Sequence, residues 1–296
     1  MSSAITVAAA AYPVDFLGGW QAYVDKLTHW VAEACDNGAD LLLFPEYASM
    51  ELVSTLPDYR DIDLAQQLHR LQPLLADYLE LHRALAQRFG VHIVAGSFAV
   101  EVGAEFRNRA YVFSPDGTMD FQEKLQMTRF ENEQWCVSAG NELKVFDTAI
   151  GRLAINICYD SEFPLIARAQ VEAGAGIILA PSCTDTLAGF HRVQIGCRAR
   201  ALENQCFVVQ ASLVGHAEWS EAVDINIGRA GFYCPVDRGY PDNGILLETE
   251  LNKPGWGYQT LDVAALQHVR DSGQVFNHRD WDTQQMFTLM TTSLQG

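Results

Sequence analysis

The sequence predicts an α/β protein in which helices cover a sandwich of sheets. Three observations lead there. Runs such as Leu41–Phe44, Gly176–Ala180 and Cys206–Ser212 are apolar on both faces, the pattern of strands buried from both sides. Tracts with apolar residues at helical spacing lie between those runs. No internal repeat, low-complexity linker or composition break divides the 296 residues, so one domain spanning 1–296 is the economical organisation, with 272–296 as a C-terminal tail.

In order, Ile5–Ala11 reads as a strand. Gly19–Asn37 reads as a helix on the spacing of Trp20, Val24, Leu27, Trp30, Val31 and Ala34, stopped by Gly38. Ile62–Phe89 reads as two helices broken at Pro73, with Gly90 closing the second. Val91–Val100 and Arg107–Ser114 are strands, and Ser114-Pro115-Asp116-Gly117 supplies turn chemistry before a short run that delivers Lys124. Leu143–Asp147 and Arg152–Ile157 read as a hairpin across Ala149-Ile150-Gly151, followed by a helix over Pro164–Ala173. Phe190–Asn204 reads as a helix, Gly228–Pro235 with Gly244–Glu250 as an antiparallel pair, and Tyr258–Val263 as the last strand before a tail of weak pattern.

Bulk properties narrow the function. A hydrophobic content of 49% suits a packed globule, and a formal charge of −17 argues against a nucleic-acid surface or an anionic membrane as partner. Seven cysteines, with no CxxC and no Cys/His ligand spacing, fit a reducing compartment, and a cytoplasmic location is the expectation. The N-terminal apolar run lacks a basic flank and is too short to span a bilayer, as is every other segment.

The chemistry gathers at strand ends. Glu46 ends the run Leu41–Pro45, where partial desolvation would raise a carboxyl toward a useful base. Lys124 follows a strand–turn–strand and offers a positive charge. Cys158 sits where the strand Arg152–Ile157 breaks into a polar turn before Pro164, a place where a nucleophile meets free backbone N–H groups. Singly, each has a commonplace reading: a strand-end acid reaching solvent, a surface lysine, a core cysteine.

Together, LLLFPEY (Glu46), FQEKLQMTRFE (Lys124) and INICYDSEFP (Cys158) resemble the signature of the nitrilase, or carbon–nitrogen hydrolase, superfamily. GAGIILAPSCTDT and RARALENQCFVVQAS resemble the core that follows its cysteine, and the likeness runs from about Ile5 to about Ser272. The resemblance implies a four-layer α-β-β-α sandwich pairing into a homodimer or higher homo-oligomer. It implies Glu46 as general base, Cys158 as the nucleophile that forms a thioester, and Lys124 with the Tyr159 N–H as oxyanion donors. It implies no metal and no cofactor. Many members carry a second glutamate after the lysine; Glu131 and Glu133 are the candidates, and the Glu133-Gln134-Trp135 pattern favours Glu133.

Cys158-Tyr159-Asp160 is closer to the amidase-like branches than the Cys-Trp-Glu usual in true nitrilases. Ser161 and Glu162 stand where carbamoylase-like members place an arginine for a substrate carboxylate. A small amide is therefore the expected substrate, with Tyr47, Trp135, Tyr159 and Ser182 placed against it. Met50, Phe190, Trp219, Phe232 and Tyr233 are further rim candidates, and His191 and His216 weaker ones. Nitrile hydrolysis, acyl transfer to an amine, a metal-dependent phosphoesterase of similar architecture and a non-catalytic interaction protein are the alternatives.

Overall fold

The computed structural model describes residues 4–294, and strands and helices alternate along it. The strands are β1 (Ala4–Pro13), β2 (Leu41–Leu43), β3 (His92–Val102), β4 (Glu105–Phe113), β5 (Met119–Glu123), β6 (Val137–Ser138), β7 (Phe146–Thr148), β8 (Gly151–Ile155), β9 (Ile177–Ser182), β10 (Phe207–His216), β11 (Ile225–Asn226), β12 (Gly231–Tyr233), β13 (Ile245–Glu248) and β14 (Gly255–Asp262). The helices are α1 (Trp20–Asp36), α2 (Leu64–Leu71), α3 (Leu75–Phe89), α4 (Arg129–Glu133), α5 (Pro164–Glu172), α6 (Leu187–Asn204), α7 (Val263–Ser272) and α8 (Asn277–Asp280).

One hydrogen-bonded path runs β5-β4-β3-β2-β1-β10-β9-β8-β7. β1 joins its halves: Val7–Ala9 pair in parallel with β2, whereas Ala11–Pro13 pair in parallel with β10. The path curls at that junction so that the halves face each other. Side-chain alternation shows this directly. Ile5, Val7 and Ala9 of β1 share a core with Leu153 and Ile155 of β8, Leu179 of β9 and Val209 of β10, and with α5 and α6 beyond. Ala8, Ala10 and Tyr12 point the other way, into a second core with Tyr23, Leu27 and Val31 of α1 and Tyr78 and Leu85 of α3. Helices, sheet, sheet, helices is the expected four-layer order.

The break at Pro73 is present as a single 3-10 turn, Gln72–Leu74, between α2 and α3. The structure adds elements to those expected. α7 extends the chain where only a tail is readable, because Asp262 caps it through Ala264 N (3.1 Å) and just Leu266 and Val269 are buried. α4 is a five-residue helix, too short for a periodic signal.

One close approach fixes the end of β2. Gly96, at φ +73°, lies in the irregular stretch of the β3–β4 ladder, and a Cβ there would stand 2.1 Å from the Pro45 carbonyl oxygen. Next to it Ser97 Oγ accepts from Tyr47 N (2.9 Å), so β3 holds the chain on both sides of Glu46. Gly96→Ala is expected to destabilise the fold by about 3 kcal/mol, backbone strain and clash combined. Gly90→Ala, at φ +66° with open space around it, should cost only the left-handed backbone term of about 1–2 kcal/mol. Chemical denaturation of both variants checks this ordering.

Candidate active site

Three strand ends converge. Glu46 follows β2 across Phe44-Pro45, Lys124 follows β5 directly, and Cys158 follows β8 across Asn156-Ile157. β2, β1, β10, β9 and β8 pair in parallel, so Glu46 and Cys158 leave their strands at the same end of the sheet. Cys158 opens the 3-10 turn Cys158–Glu162 at φ +48°, and Tyr47 sits at φ +56° beside Glu46. A left-handed backbone at these two non-glycine residues is local strain held at the site.

Lys124 is 1% exposed and lies between two carboxylates, its Nζ 2.7 Å from Glu46 Oε1 and 2.7 Å from Glu131 Oε2. Asn108 Nδ2 bridges the acids, donating to Glu46 Oε1 (2.9 Å) and Glu131 Oε1 (3.3 Å). Glu131 also accepts from Tyr47 OH (2.7 Å), Thr128 N (2.9 Å) and Thr128 Oγ1 (2.8 Å). Glu46 has one more backbone donor, Cys183 N (3.1 Å), and the Cys183 carbonyl accepts from Cys158 Sγ at 3.6 Å. The backbone of residue 183 thus touches both the acid and the thiol.

The unequal donor sets give the two acids different characters. For Glu131, burial pushes the carboxyl up, but Lys124 and the surrounding donors outweigh it and the group stays below the usual glutamate range. For Glu46, burial wins over Lys124, with Glu131 adding to it, and the carboxyl is raised. Burial, then the charge of Glu46, also pushes the Cys158 thiol well up, so the resting sulfur is protonated. Burial would lower Lys124, but its two carboxylates hold it charged. The site therefore contains a basic carboxylate, a neutral thiol and a permanent cation, with an acid held ionised beside them.

These groups floor a cavity of about 620 Å³, lined among others by Tyr47, Trp135 and Tyr159. The structure corrects two assignments. Glu133 does not reach Lys124; it is exposed and paired with Arg129 (2.7 Å), and Glu131 occupies that place. Ser182 is fully buried in β9, bonds to the Ala180 carbonyl (3.0 Å), and leaves its neighbour Cys183 to line the cavity. Strand alternation turns residue 182 away and 183 toward the opening. Met50, Phe190, Phe232 and Tyr233 are buried outside the cavity wall, and His191 bonds to Gln194 (2.9 Å). Trp219 and His216 line a neighbouring cavity of about 1000 Å³.

Asn108, Cys183 and Asp160 carry no sequence signal strong enough to be singled out. Glu131 has one. Thr128-Arg129-Phe130-Glu131 is a capping-box pattern, and the box forms, turning the Glu131 carboxylate back to the start of α4 and inward to Lys124. Five residues of helix then leave Glu133 facing solvent.

Glu131→Ala should lower the unfolding free energy by about 3 kcal/mol, the low end for breaking a buried ion pair because Glu46 still holds Lys124. Glu133→Ala should leave the denaturation midpoint unchanged. Equal effects of the two would contradict the placement.

The carbon–nitrogen hydrolase family model matches residues 6–245. The probable hydrolase YhcX of Bacillus subtilis is 34% identical over 276 residues, covering 93% of this chain and 53% of its own length, so the chain spans about half of that relative. An omega-amidase of Xenopus laevis is 25% identical over 229 residues, 71% of this chain and 79% of that one. The crystal structure of XC1258 from Xanthomonas campestris, a CN-hydrolase superfamily protein, superposes with a TM-score of 0.74 at 19% identity, covering 98% of this chain and 99% of that chain. With its strand-end acid, lysine and cysteine in one cavity, the chain belongs to the carbon–nitrogen hydrolase family.

Proposed function

We propose that this chain hydrolyses the C–N bond of a small amide through a thioester on Cys158. The observation that carries the reading is a raised carboxyl, a protonated thiol and a buried ammonium lining one cavity. Glu46 takes the Cys158 proton as the sulfur attacks the amide carbon. Negative charge leaves the carboxylate and arrives on the carbonyl oxygen, where Lys124 Nζ and the Tyr159 N–H receive it. Tyr159 is second in its 3-10 turn, where backbone N–H groups have no acceptor within the turn. Glu46 passes the proton to the departing nitrogen, and ammonia or an amine leaves. It then draws a proton from water to cleave the thioester, which releases the acid and restores the thiol. Glu131 keeps Lys124 charged and in place throughout. Pairing of two copies, which the family resemblance implies, is part of the same proposal.

The cavity mouth bears on the substrate's far end. Arg129 is engaged by Glu133 and Arg192 by Glu162, whereas Asp185, Glu221 and Asp224 line the cavity as exposed acids with no ion pair among the described residues. That field opposes an anionic tail and favours a neutral or cationic one.

An ammonia-release screen over short aliphatic amides, amides with a terminal amine, amides with a terminal carboxylate, carbamoyl compounds and nitriles tests the reading. Turnover is expected on neutral or amine-bearing amides, lost in Cys158→Ala and reduced at least about 10²-fold in Lys124→Ala. Ammonia release by Cys158→Ala at the wild-type rate would overturn it.

A further inference from the structure

We propose that Asp160 is a positioning residue that sets the spacing between the two oxyanion donors, Lys124 and the Tyr159 N–H; this rests on the hydrolase reading above. Asp160 is 1% exposed. Its Oδ1 accepts from Gln126 N (2.7 Å) and Leu125 N (3.1 Å), and its Oδ2 from Ile157 N (3.2 Å) and Leu125 N (3.3 Å). The donors come from two separate segments. Leu125 and Gln126 directly follow Lys124, past the end of β5, and Ile157 directly precedes Cys158. One carboxylate therefore clasps the chain that carries the ammonium to the turn that carries the thiol and the Tyr159 amide.

The clasp also answers a backbone requirement. N–H groups just beyond a strand end lose their ladder partners, and a buried one left unmet is costly. Asp160 meets them at a point where any slippage would move Lys124 against residue 159. Burial pushes the Asp160 carboxyl up to about 7 against Lys124 and these three N–H groups, so the clasp rests on its two acceptor oxygens and their geometry. The turn itself has other supports: Ser161 Oγ donates to the Cys158 carbonyl (2.6 Å), and Arg200 donates to the Ser161 carbonyl (3.3 Å). Loss of an Asp160 acceptor oxygen should therefore loosen the spacing without unfolding the turn.

Asparagine is the informative replacement. It keeps the shape, but its Nδ2 would face a backbone N–H, donor against donor. Two reactions of Cys158 separate the clasp from the base. Iodoacetamide is displaced at a saturated carbon, so sulfur–carbon bond formation with loss of iodide develops no carbonyl oxyanion. Propanal adds reversibly: the S–C bond forms, the carbonyl π bond opens, and the new oxygen accepts the proton released by the thiol, giving a hemithioacetal at the oxyanion position. Propanal affinity is read from the protection it gives Cys158 against iodoacetamide, followed by mass spectrometry.

For Asp160→Asn the expected result is alkylation within about threefold of wild type and propanal affinity reduced at least about tenfold, the loss of one misaligned oxyanion donor. Asp160→Glu, which keeps a carboxyl but shifts the acceptor, should fall between, and serves as the test if the asparagine variant does not fold. Unchanged propanal affinity in the folded variants would overturn the inference, as would alkylation and affinity falling by the same factor. If wild-type Cys158 itself fails to bind propanal, the hydrolase reading falls and this inference with it. If wild type binds and Asp160→Asn binds equally, the inference alone falls.

Discussion

A lysine ammonium buried between two carboxylates is the constraint on which the rest of the structure depends. Taking such ions out of water costs several kcal/mol each unless geometry and further hydrogen bonds offset it. Here the offset comes from scattered parts of the chain: Glu46 from the end of β2, Glu131 from the cap of α4, and Asn108 from β4 bridging the two acids. Tyr47 adds its hydroxyl, which burial and then the charge of Glu131 keep protonated and able to donate. Lys124 has both of its carboxylate partners only when the ends of β2 and β5 and the cap of α4 meet, so the network ties the relative position of these segments to their charge.

The same network divides labour between chemically identical groups. Both glutamates touch one lysine, yet Glu131 gathers hydroxyl and amide donors while Glu46 is left with fewer and with a thiol for a neighbour. Surroundings push paired acids apart in basicity, and the more basic one faces the Cys158 thiol. The strained backbone at Tyr47 and Cys158 belongs to this arrangement, since it turns the chain sharply just past each strand, where both side chains line the cavity.

What was legible in the sequence follows from what is local. The strands apolar on both faces, the break at Pro73 and the glycine-ended helices are written in runs of neighbouring residues, and the layered fold came from those runs with the family resemblance. Glu46, Lys124 and Cys158 each follow a strand, but singly each has a commonplace reading, and it is the family resemblance that joins them into one candidate site. The choice between Glu131 and Glu133 was also written locally, in the Thr128-x-x-Glu131 cap, but competed with a Glu-x-Trp pattern that carries no geometry. Ser182 was misplaced because one step along a strand reverses the face. Asn108, Cys183 and Asp160 act through contacts with residues far along the chain, and no short pattern announces such partners.

The central claim is that Glu46 is the base for Cys158, and the pH dependence of Cys158 alkylation tests it most directly. Iodoacetamide should modify Cys158 faster than the other cysteines. Its rate should rise with pH through an inflection above the ordinary glutamate value of 4.5, because the raised Glu46 must ionise before it can take the proton. Glu46→Gln should abolish that inflection and slow the reaction at neutral pH. The same inflection and the same rate in both proteins would contradict the account.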